Sequence, residues 1–140
     1  MLSEMQNYID VIIPRGGKGL VKKVQEKAKI PVIGHLDGVC HVYVDVDADQ
    51  NKAEQIIQNS KLRRTGICGA AETLLVHKDC INSHLPNIIA ILTEGGCEIR
   101  IDKILKTSYP DLVEAKDDDW KTEYLDSIIS IRVVEDLNEA

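Results

Sequence analysis

Phenylalanine is absent from these 140 residues and tryptophan occurs once, so a folded core has to be aliphatic, built from Ile, Val, Leu and Ala. An excess of cations is lacking too: 17 Lys and Arg stand against 23 Asp and Glu, for a formal charge of -6. Neutralising phosphates takes clustered Lys and Arg, so general nucleic-acid binding is excluded. No run approaches the roughly 20 apolar residues of a membrane span. The start, Met1 to Asn7, has no basic stretch leading into an apolar one, so no secretory signal is visible. Paired cysteines are also missing. Cys40, Cys68, Cys80 and Cys97 are widely spaced, with no C-x-x-C among them. Neither a disulfide framework nor a metal site is expected, and the chain reads as a cytoplasmic protein with reduced thiols.

What is present is a chain of single-domain size, 44% hydrophobic and 29% charged, as a folded globular protein requires. Tyr8 to Ile13 is a β-rich run stopped by Pro14, and Arg15-Gly16-Gly17-Lys18-Gly19 is a glycine turn. Leu20 to Lys29 carries Leu20, Val21, Val24 and Ala28 at helical spacing. Pro31 to Ile33 and Cys40 to Val46 read as strands. Asp49 is positioned to cap a helix running to about Leu62, with Ala53, Ile56, Ile57 and Ser60 inward.

A strand over Glu72 to His77, a helix over about Ile81 to Thr93 stopped by Gly95-Gly96, and a strand over Cys97 to Ile101 follow. Lys103 to Leu105 predicts a helical turn, Ser127 to Val134 a last strand, and Asp136 to Ala140 the start of a helix. Tyr109 to Trp120, with the acidic run Asp117-Asp118-Asp119, reads as a solvated loop. The alternation predicts an α/β fold with a mostly parallel sheet and flanking helices.

The chemistry-bearing stretch is Lys61 to Val76, K-L-R-R-T-G-I-C-G-A-A-E-T-L-L-V. Cys68 stands after a helix and before a strand, with glycine at 66 and 69. Small neighbours let a substrate carbon approach sulfur, and nearby cations favour the attacking thiolate. An inert, buried cysteine is the alternative that these residues alone leave open. Arg63 and Arg64 are candidates to hold a phosphate or carboxylate through paired N–H bonds, or else simply an exposed helix end. The turn at Arg15, Gly16, Gly17 and Lys18 opens a helix, where free N–H groups suit a phosphate. It matches neither the P-loop nor the six-residue dinucleotide fingerprint.

Three ordered blocks carry a family resemblance: Asp10 to Leu20 (D-V-I-I-P-R-G-G-K-G-L), His35 to Asp45 (H-L-D-G-V-C-H-V-Y-V-D), and Arg63 to Val76. Together with a weaker match over Asp126 to Ala140, they resemble the gamma-glutamyl phosphate reductase family of the aldehyde dehydrogenase superfamily. The resemblance implies that Cys68 is the nucleophile, that Arg63, Arg64 and His35 line the substrate, and that Arg15, Gly16, Gly17 and Lys18 lie on the cofactor side. It implies NADP as cofactor, L-glutamyl 5-phosphate as small-molecule substrate, glutamate 5-semialdehyde as product, and a place in proline biosynthesis.

His35 falls where aldehyde-oxidising relatives carry a glutamate base, a departure that disfavours aldehyde oxidation. Relatives of this family are far longer. Residues 1–34 are therefore expected to be the end of a cofactor domain and 35–140 a partial catalytic lobe. Such a chain is expected to lack full activity and NADPH binding alone, and to act as a homo-oligomer or with a complementing fragment. A non-catalytic ligand- or partner-binding α/β module, or one piece of a split reductase, are the alternatives.

Overall fold

The computed structural model describes residues 6–140. The chain divides into two compact units, one running up to Gly38 and one from Val39 to Ala140.

In the first unit, helix α1 (Lys18–Lys27) buries Val21, and its end is closed by the Ala28 N–H on the Val24 carbonyl. Ile12 and Val32 form one parallel bridge, held by Ile12 N–H to Pro31 O and Ile33 N–H to Ile12 O, both 2.9 Å. The strands expected at 8–13 and 31–33 thus shrink to that bridge. Pro14 and Pro31 have no N–H to extend a ladder, and Val11, Ile13 and Ile33 stay exposed.

The second unit contains β1 (Cys40–Val44), α2 (Gln50–Leu62), β2 (Ala71–His77), α3 (Leu85–Glu94), β3 (Glu98–Ile101), β4 (Val113–Glu114) and β5 (Ile128–Val134). They form a five-stranded sheet in the order β1-β2-β5-β3-β4, and each of its four strand pairings is parallel. The expected α/β architecture is present. Leu74 and Val76 of β2, Ile99 and Ile101 of β3, and Ile129 and Ile131 of β5 pack with Ile57 of α2 and Leu85, Ile88 and Leu92 of α3. Side chains alternate across a strand, so Thr73, Ser130 and Arg100 face the other way. They stand in one row, Thr73 opposite Ser130 and Ser130 opposite Arg100.

Asp49 caps α2 as expected, accepting from the Lys52 N–H at 2.9 Å. The inward face differs from the expected one: Ile56 is 54% exposed, whereas Lys61 is wholly buried. Helix α3 starts later than Ile81, because Lys78–Cys80 forms a 3-10 turn and His84 contacts the Ala48 carbonyl through Nε2 at 2.9 Å. Gly95 ends α3, and Gly96 takes φ 73, a value that glycine adopts freely.

The acidic run is not a solvated loop. Residues Asp117–Lys121 form a 3-10 helix, and Asp119 is buried. Its carboxylate accepts from Arg100 Nη1 at 2.6 Å, the Lys116 N–H at 2.7 Å and the Tyr124 hydroxyl at 3.1 Å. That hydroxyl lies 2.7 Å from the Ser130 hydroxyl, and Arg100 stacks over the Tyr124 ring at 5.1 Å. The helix expected from Asp136 is a turn instead, in which Asp136 Oδ1 accepts from the Asn138 and Glu139 N–H groups.

Candidate active site

Residues 63–70 connect the end of α2 to the start of β2 and carry Cys68 at an exposed position. The Ala70 N–H bonds the Ile67 carbonyl at 3.0 Å, a turn that brackets the cysteine. A Cβ added to Gly69 would meet nothing within 4 Å, and one on Gly66 only the Leu125 carbonyl at 4.0 Å. The backbone on either side of the exposed cysteine is thus loosely surrounded. Arg63 caps α2, and both Arg63 and Arg64 are exposed.

Beneath the loop is an ion pair that the sequence reading missed. Lys61 Nζ lies 2.7 Å from Glu72 Oε2, with both side chains fully buried. The other carboxylate oxygen accepts from the Leu125 N–H at 3.3 Å, and Leu125 has φ 54. Lys61 belongs to α2 and Glu72 to β2, so the pair ties the two ends of the cysteine loop together and fastens a third segment to them. The signal was available: Lys61 falls four residues after the buried Ile57, on an apolar helical face.

Cys40 lies beside the site. Its thiol donates to the Cys68 carbonyl at 3.2 Å. Cys80 and Cys97 are different. Both are buried, and burial pushes their thiols up. Among the described residues, no group of three or more His, Cys, Asp or Glu could hold a metal ion. No helix among them is long and apolar enough to cross a membrane.

The remaining candidates lie in the first unit. His35 is exposed there, as is Arg15. Gly17 is the N-cap of α1 and makes no side-chain cap hydrogen bond. A Cβ added to Gly17 or Gly19 would meet nothing within 4 Å. Lys18 pairs with Asp37 at the surface. A glycine-rich helix start beside the cations Arg15 and Lys18 is chemically compatible with a phosphate group.

No protein-family model matches the chain. Across all 140 residues it is 54% identical to gamma-glutamyl phosphate reductase of Parvibaculum lavamentivorans. From end to end, this chain is similar to gamma-glutamyl phosphate reductase. It spans about a third of the length of the curated relatives it matches. The crystal structure of the Thermotoga maritima gamma-glutamyl phosphate reductase superposes with a TM-score of 0.93 at 43% identity, covering 99% of this chain and 33% of that one. Betaine aldehyde dehydrogenase from Staphylococcus aureus, solved with NAD+, shares the fold at 14% identity and a TM-score of 0.68, covering 99% of this chain and 37% of its own.

Proposed function

We propose that the chain supplies the nucleophile of a gamma-glutamyl phosphate reductase, in proline biosynthesis, and that Cys68 is that nucleophile. The observation that carries this reading is an exposed cysteine on an open loop, in a chain similar throughout to the reductases. Cys68 sulfur attacks the carbonyl carbon of L-glutamyl 5-phosphate, and the Cys68 N–H receives the developing oxyanion. Collapse breaks the carbon–oxygen bond to phosphate, which leaves as the inorganic anion and gives a thioester on sulfur. Arg63 and Arg64 hold the phosphate or carboxylate of the substrate. The reduced cofactor NADPH would supply the hydride for the thioester, releasing glutamate 5-semialdehyde and the Cys68 thiolate. Within this chain, the amides at Gly17 and Lys18 and the side chains of Arg15 and Lys18 hold the cofactor's phosphate.

Two experiments test the reading. Acetyl phosphate serves as the acyl donor, with intact-mass measurement of the product: wild-type protein gains one acetyl group on Cys68, and Cys68→Ser gains none. Acetylation spread over all four thiols, or absent, overturns the assignment. Phosphate-dependent NADP reduction with glutamate 5-semialdehyde is then assayed with the chain alone and with candidate complementing proteins. We expect turnover only in the second case. Turnover by the chain alone overturns the expectation that it lacks full activity.

A further inference from the structure

We propose that Cys40 and Cys68 together form a modification site, at which a hydroperoxide converts two thiols into an intrachain disulfide. The proposal rests on Cys68 being the reactive thiol, as argued above. Two independent features bring the residues together. The Cys40 thiol donates to the Cys68 carbonyl at 3.2 Å. The β1–β2 register also slips there: Cys40 pairs with Ala71 but His41 with Thr73. That irregularity sets Cys40 at the end of the turn closed by Ala70 N–H on Ile67 O. A disulfide needs its Cα atoms about 5.5–6 Å apart and a definite dihedral. An added Cβ at Gly69 would meet nothing within 4 Å and one at Gly66 only the Leu125 carbonyl at 4.0 Å, so neither glycine is packed against other segments. The other thiols are poor competitors, because Cys80 is 1% and Cys97 7% exposed.

The chemistry balances in two steps. Cys68 thiolate attacks the peroxide, forming a sulfur–oxygen bond and breaking the oxygen–oxygen bond. Sulfur is oxidised to sulfenic acid, and the leaving alkoxide takes a proton as the alcohol, or water from hydrogen peroxide. Cys40 sulfur then attacks Cys68 sulfur, its proton leaves with the hydroxyl as water, and the disulfide forms. The disulfide blocks acylation of Cys68 and shields it from irreversible oxidation to sulfinic and sulfonic acid.

The test uses the full chain, hydrogen peroxide as oxidant and peptide mass mapping after maleimide capping. The expected result is loss of two free thiols, a Cys40–Cys68 linked peptide, and recovery of both thiols with dithiothreitol. Cys40→Ser and Cys40→Ala, checked for folding by circular dichroism, should instead accumulate sulfinate or sulfonate on Cys68. Three results overturn the proposal: a link to Cys80, to Cys97 or between chains; Cys68 left unoxidised; or irreversible oxidation of wild-type Cys68 as fast as in the Cys40 variants. Iodoacetamide labelling runs in parallel. Selective labelling of Cys68 without a disulfide sinks this inference alone, while labelling that does not favour Cys68 sinks the reductase reading with it.

Discussion

Asp119 accepts from Arg100, Lys116 and Tyr124 in a buried position, and this sets how the protein responds to acid. Burial by itself raises a carboxyl's pKa. Here the donated bonds and the Arg100 charge outweigh it and hold the group below the usual carboxylate value. A lowered folded value adds stability above the unfolded value of about 4, and that contribution disappears as pH falls through the folded value. Urea midpoints should therefore be level from neutral pH to near the ordinary carboxylate range and drop below it. Asp119→Asn should flatten much of that acid drop and lose about 1.5–3 kcal/mol at neutral pH, where charged hydrogen bonds are removed. An unchanged acid limb in the variant contradicts the assignment. None of this was legible in the sequence. Three consecutive aspartates look alike as a solvated run, and only the strand register that aims Arg100 at one of them distinguishes Asp119.

At the scale of elements, the Lys61–Glu72 pair joins α2 to β2 across the cysteine loop. Removing one partner strands the other charge in the core, so Lys61→Met should cost about 3–5 kcal/mol in urea unfolding. Lys61→Met combined with Glu72→Met should recover much of that loss, since no unpaired charge remains. A double variant no better than the single one contradicts this account. Helix α3 presses on the same place. A methyl on Gly95 would come within 2.2 Å of Leu62 Cδ1, the tip of a flexible side chain, so Gly95→Ala should cost at most about 1.5 kcal/mol as Leu62 turns aside, read as a small fall in the thermal midpoint. The sequence placed α2 well, since the Asp49 cap and the apolar spacing agree with each other. It misjudged the inner face because a lysine at the end of a helix ordinarily points to water. The expected strands of the first unit failed for a related reason: β propensity needs neighbours to pair with, and two prolines take those away.

At the scale of the whole molecule, every strand pairing is parallel, and Cys68 lies just before β2, at the amino ends of β1 and β2. Ligands in open α/β sheets usually sit beyond the carboxyl ends, so the cysteine uses the opposite edge. The alternation of strands and helices made this sheet legible, while the strand order did not follow from it, because β5 inserts between β2 and β3. The apolar cluster that holds the sheet lies entirely within Val39–Ala140. We therefore expect a protein beginning at Val39 to keep a single cooperative thermal transition close to that of the full chain. Broad, non-cooperative melting contradicts that.

Because its two ends are clamped by a buried ion pair while Cys68 itself is exposed, the cysteine loop separates the tolerance of folding from the tolerance of chemistry. Randomising positions 65–69 should return mostly folded clones with widely varying thiol reactivity. Randomising 61 and 72 should return few folded clones at all. Natural or laboratory selection could therefore rewrite what this loop acts upon without first having to stabilise the scaffold beneath it.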